Sequence, residues 1–159
     1  MSDLCSPSLM AKWFINRVDR EAGEAMTPLK VQKLLYFAQA YYLANFEKPL
    51  FAEDFQAWAH GPVVPSIFQA YSEFRWEAIP PQEIDQEIDR DVAEYLEAVY
   101  QEFGKFSAKE LERISHQHAP WLDVRGKLPP EARCTDVIKK SDIENFYAAR
   151  IRKNKKSKK

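Results

Sequence analysis

The chain has 159 residues, a formal net charge of −1 and 45% apolar residues, with four Trp, seven Tyr, ten Phe and only four Gly. That length is enough to bury one domain's core, and so few glycines argue against folds that cradle phosphates in glycine-rich loops. With no 18-residue apolar run and no basic-then-apolar start, the expectation is a soluble, cytoplasmic, single-domain protein with no membrane partner.

Ser8 is in position to cap a first helix with Leu9, Trp13, Phe14 and Val18 on its inner face, ending near Gly23. Thr27-Pro28 then opens the central stretch. Threonine accepts a free helix N–H, and proline costs nothing in the first turn. The long aromatic helix begun there carries Leu34, Leu35, Ala38, Tyr41 and Tyr42 on one face and breaks at Glu47-Lys48-Pro49. Phe55 to Ala59 reads as extended, His60-Gly61-Pro62 as a turn, and a further helix begins near Val64.

Arg75 to Pro81 is a connector, since Pro80-Pro81 cannot continue a helix. From Gln82 to Phe103, Ile84, Ile88, Val92, Leu96 and Val99 recur on one stripe, which predicts a long surface helix ended by Gly104. Ser107 to Glu110 has the capping-box form, opening a helix through about Ser115. Pro120 starts another helical turn with Trp121 and Leu122. Cys134 to Lys139 is a short strand or an extended link. Ser141 to Glu144 repeats the capping-box pattern before a last helix with Ile143, Phe146, Tyr147 and Ile151 inward. The implied fold is mainly α, a compact bundle of six or seven helices with at most one or two short strands.

Charge divides the chain unevenly. Residues 150–159 carry seven of the 23 basic side chains and no acid, which leaves the preceding residues strongly acidic. Such a block reads as a disordered solubilising end or as an arm for nucleic acid or an acidic partner. Cys5 and Cys134 have no partner spacing and are expected to be reduced thiols. His116 and His118 alternate, and His60 lies far upstream, so a metal-dependent hydrolase built on these three is only a third reading and no metal is expected. Neither Ser115 nor Cys134 sits in a nucleophile elbow or beside an oxyanion signature. No catalytic residue and no cofactor are expected. A helix-turn-helix is also poorly supported, because the helix after Gly61-Pro62 offers only Gln69 for base readout, and Glu73 would repel phosphate.

Three ordered blocks resemble a known family. Thr27-Pro28-Leu29-Lys30 with Gln32 to Tyr36 is the first, including Lys33. Phe55 to Trp58, then His60-Gly61-Pro62-Val63-Val64-Pro65 and on to Tyr71, is the second. Leu111 to His116 with Pro120-Trp121 and Arg125 is the third. Together they are similar to the Panacea antitoxin domain, the SocA-like or GepA-like phage-associated family, with Ser115 where threonine is common. The resemblance implies a mostly helical, non-catalytic antitoxin, often encoded on prophage beside a toxin. It would neutralise that toxin by direct binding, in some members as an adaptor to a protease. It sets residues 1–149 as the domain and 150–159 as a basic tail.

On this view Thr27, Pro28, Lys33, Tyr36, Trp58, His60, Gly61, Pro62, His116, Pro120 and Trp121 build the scaffold, with His60 and His116 as hydrogen-bonding residues at their turns. The expected toxin contacts are Tyr41, Tyr42, Phe68, Phe146, Tyr147, Arg150, Arg152 and Lys153. The aromatic excess is compatible with a homodimer, but aromatic residues fill cores as readily as interfaces. The alternative function is a nucleic-acid-binding regulator, acting through the basic tail.

Overall fold

The computed structural model describes residues 5–157, with the backbone alone for 156 and 157; Lys158 and Lys159 of the basic segment lie outside the described residues. The described residues form seven α-helices and one small sheet, giving a mainly α fold. The sheet has three strands where at most two were expected.

Helix α1 spans Pro7–Arg17 and is capped by Ser6, whose side chain accepts the Leu9 N–H. The cap is therefore Ser6 rather than Ser8, because Pro7 is suited to the first helical position. The inward face shifts with it: Met10, Ala11, Phe14 and Ile15 are buried, while Leu9 and Trp13 are half-buried. The helix stops at Arg17, well before Gly23. There the Asp19 carboxylate accepts the Ala22 N–H and turns the chain, and Gly23 takes a φ of 89°.

Helix α2, Pro28–Phe46, is the axis of the molecule. Thr27 caps it by accepting the Lys30 N–H, and Glu47 ends it in the left-handed conformation. Eleven of its 19 residues are buried, so it is covered on nearly every side rather than along one face. Helix α7, Lys140–Ser157, and helix α5, Ala108–His116, lie against it with α1 and helix α4, Arg90–Phe103. Ser107 and Glu110 form the reciprocal capping box at the start of α5.

Strands β1 (Phe55–Trp58) and β2 (Gly61–Val63) form an antiparallel hairpin in which Trp58 faces Gly61 across the two-residue loop Ala59-His60. Strand β3, Val137–Ile138, pairs with the other edge of β1. The remaining helices are α3, Pro65–Tyr71, and α6, Ala119–Arg125.

Three expectations are corrected here. Residues 82–89 are not helical, and α4 begins only at Arg90, where the Asp89 side chain accepts the Asp91 N–H. Asn16 exchanges two hydrogen bonds of 2.8 Å with the Gln82 backbone and lays this segment across α1, leaving Ile84 40% exposed. Ser141 lies within α7 rather than at its cap, because the helix starts at Lys140 and the Ile143 N–H already bonds back to the Lys139 carbonyl. Finally, the backbone from Arg150 to Ser157 is helical, not a disordered end. Arginine and lysine favour helix, no Gly or Pro interrupts, and basic side chains suit the negative pole of a helix C-terminus.

Candidate functional site

The hairpin is held from beneath by polar groups that are themselves buried. On α2, Gln32 donates to the Val64 carbonyl at 3.1 Å and accepts the Val64 N–H at 2.9 Å, acting as the missing strand partner there. The neighbouring Lys33 is fully buried and donates from Nζ to the Pro62 carbonyl at 3.0 Å. Burial lowers its pKa to about 7, with the Glu112 carboxylate pulling the other way. Gly61, at φ 105°, passes so close that a Cβ there would stand 2.7 Å from Lys33 Cε and 2.9 Å from Ser115 Oγ. Only glycine fits both that backbone angle and that gap.

The β1 side of the hairpin is tied to α6. The Trp121 indole donates to the Trp58 carbonyl at 2.8 Å, and Arg125 donates to the carbonyls of Ala57, Pro129, Pro130 and Ala132. The Arg125 guanidinium also lies 4.9 Å from the Trp121 ring centre, and His116 stacks on Trp121 at 4.0 Å. His116 Nε2 and Glu112 Oε1 are buried without hydrogen-bond partners among the described residues. Burial lowers the His116 pKa, while the nearby Glu112 carboxylate pulls it the other way.

The two turn histidines do not act as expected. His60 has a side chain 73% exposed, its Nδ1 3.6 Å from Glu112, which is an ion-pair distance and too long for a hydrogen bond. His116 works through its ring face rather than its nitrogens. The turn is held instead by Lys33, Gln32 and Arg125; Gln32 and Arg125 stood in the blocks of resemblance but not among the expected scaffold residues. A buried amide or guanidinium among core residues is a signal only once its neighbours are known.

Above this scaffold the surface is aromatic. Trp58 and Phe68 meet edge to face at 4.9 Å. Phe68 is 45% exposed and Trp76 77% exposed, the latter just after the strained Arg75 at φ 55°. Two cavities of about 400 Å³ open on either side of a ridge made by Trp58, His60 and Phe68. One runs toward Cys134 and Thr135, the other along Leu29, Ile67 and Trp76.

The other expected contact residues lie elsewhere. Tyr147 is fully buried, its hydroxyl 2.7 Å from His118 Nδ1 and donating to the Tyr36 hydroxyl at 3.3 Å. It is a core residue and has no surface to offer, because the inward face of α7 seals against α2. Tyr41 and Tyr42 are half-buried, Tyr41 packing on Phe103 and Tyr147, Tyr42 on Phe46 and Tyr95. Phe146 is half-buried against His118, whereas Arg150, Arg152 and Lys153 are exposed on α7. Tyr41 lies thirteen residues beyond Pro28, about 20 Å along α2 from the groove that Pro28 lines. Phe68 and the α7 residues therefore belong to two separate surfaces. Among the described residues no three His, Cys, Asp or Glu side chains converge as a metal site. No helix among these residues is long and apolar enough to cross a membrane.

Fold and site together describe a small helical domain that carries a rigidly mounted aromatic hairpin. Residues 31–122 match the family model described as "Antitoxin SocA-like, Panacea domain", more than half of the chain, and the chain belongs to that family. It is 33% identical over 106 residues to the protein named Antitoxin SocA from Caulobacter vibrioides (strain NA1000 / CB15N), a match covering 58% of this chain and 56% of that relative. The chain thus spans little more than half the length of the curated relative. No solved structure matches it. The family is described as antitoxin-like.

Proposed function

We propose that the chain is the antitoxin of a toxin–antitoxin pair and neutralises its toxin by direct protein–protein contact, without catalysing a reaction. The carrying observation is the family match over residues 31–122, which contains the clamped hairpin and most of the residues beneath it. An exposed aromatic surface mounted on a hydrogen-bonded scaffold suits binding, because little conformational freedom is lost on association. The reading places the protein in the cytoplasm with its toxin. Delivery of the toxin to a protease is a variant of the same function, distinguished by a fall in toxin level rather than in toxin activity.

The test is growth rescue. The open reading frame beside this chain is induced alone, then together with the chain. Arrest relieved by co-expression, with the two proteins co-purifying, is the expected outcome; arrest that persists with the chain present counts against it. A second reading, a nucleic-acid-binding regulator, draws support from the exposed basic side chains of Arg150, Arg152, Lys153 and Lys155 on α7. It predicts binding to an operator fragment that falls steeply with salt.

A further inference from the structure

The groove between α2 and α3 differs from the rest of the surface in its charge as well as its apolarity. The chain has 24 acidic residues, yet none lines this cavity, whose edge is formed by the cations Arg75 and Lys109 with His60. Lys109 and His60 are answered from behind by Glu112, at 3.8 and 3.6 Å. The Arg75 guanidinium has no hydrogen bond or ion pair with any described residue. Its backbone nitrogen does bond to the Ser72 carbonyl, which fixes the tight turn and its positive φ of 55°. A non-glycine residue in that region is strained, and such strain gathers where a side chain must be presented. The next residue is Trp76, the most exposed large apolar side chain of the described residues.

Resting on the antitoxin reading, we propose that this groove is the toxin-binding surface and that it takes a segment of the toxin carrying large apolar side chains next to a carboxylate. A cavity of about 400 Å³ lies within the range of formed ligand sites and has room for roughly two large side chains. Trp58, Phe68 and Trp76 supply the apolar contact. Arg75 supplies the unanswered positive charge, and tryptophan and arginine are the side chains on which binding energy concentrates. A basic segment would meet Arg75 and Lys109 with like charge, so the groove selects by repulsion as well as by attraction.

The test uses the full chain with two probes. The first is the protein encoded by the adjacent reading frame, measured for binding to wild type, Trp76→Ala, Arg75→Glu and the α7 variant Arg152→Glu/Lys153→Glu. All the substituted side chains are exposed, and thermal melts identify any variant that has lost its fold. The second is a display library of random peptides of about 12 residues, selected on the wild-type chain. Loss of at least about tenfold in affinity for Trp76→Ala and for Arg75→Glu, with the α7 variant unchanged, is expected. If the adjacent protein binds and both groove variants stay within about twofold of wild type, the groove proposal is overturned while the antitoxin reading stands. If the adjacent protein does not bind at all, that reading fails and the library decides the groove. Selected peptides that combine Asp or Glu with aromatic or aliphatic pairs, and that lose binding to Arg75→Glu, support it. Peptides without carboxylates, or indifferent to Arg75→Glu, or no selection, overturn it.

Discussion

The long helix α2 has two dissimilar flanks. Toward α7 it is covered by rings: Tyr36, Phe37 and Tyr41 meet Tyr147, Phe37 also meets His118, and the Tyr147 hydroxyl makes its two polar bonds inside this cluster. Toward the hairpin, Gln32 and Lys33 reach out to backbone groups, and beyond it Phe68 and Trp76 lie on the outer surface. Gln39 repeats the device further along, clamping Leu50 and Phe51. An aromatic interior gives cohesion without direction, whereas hydrogen bonds fix a loop in one place. The second flank is thus the one able to hold exposed aromatic residues in a constant arrangement.

The largest expected effect strikes the hairpin flank. Gly61→Ala forces a side chain onto a left-handed backbone and against two groups that cannot leave a closed interior. A loss on the order of 3 kcal/mol in urea unfolding is expected. A change below about 0.5 kcal/mol would show that the hairpin floats free of α2.

Lys33 provides a sharper test, through pH. Its folded pKa of about 7 lies below the ordinary 10.5, so between those values the unfolded chain binds more protons and stability rises with pH. Stability should climb by roughly 2 kcal/mol from pH 7 to 9, and Lys33→Met should flatten that slope. An unchanged slope in Lys33→Met would assign the climb elsewhere. On the α7 flank His118 behaves alike in a lower window. Burial depresses its pKa to about 4, so stability is lost as pH falls from about 6.5 toward 4. Tyr147→Phe leaves the His118 nitrogen and the Tyr36 hydroxyl without that shared partner, at a cost of about 2 kcal/mol by thermal or urea melt.

These two flanks were unequally legible in the sequence. Caps with a fixed local form, Thr27-Pro28 and Ser107 with Glu110, stand out because the residues that satisfy each other are neighbours in the chain. The Ile84 to Val99 periodicity misled over residues 82–89. It could not reveal that Asn16, 66 positions away, holds Gln82 in another conformation. A strand of three residues such as β2 carries too little alternation to be read, and β3 was legible only as a short strand or an extended link. The three blocks of family resemblance located the hairpin and its supports, but not how they work. Lys33, His116 and Trp121 share one polar layer only because α2, α5 and α6 meet there. Trp76 gave no signal at all, since an exposed tryptophan and a buried one look the same in a sequence.

The smallest effect on stability separates the two surfaces most cleanly. Arg152 and Lys153 are exposed on the last turns of α7, where their charge favours the helix by a few tenths of a kcal/mol each. Trp76→Ala likewise removes little burial. Both Arg152→Glu/Lys153→Glu and Trp76→Ala should therefore unfold within about 1 kcal/mol of wild type, which makes their binding behaviour directly comparable. Toxin affinity that depends on the α7 variant and weakens steeply with added salt would place recognition on the basic helix, since exposed charges are screened beyond about 10 Å at 0.1 M salt. Affinity that depends on Trp76 and changes little with salt places it in the groove, where apolar contact predominates and Arg75 sets which apolar segment is accepted.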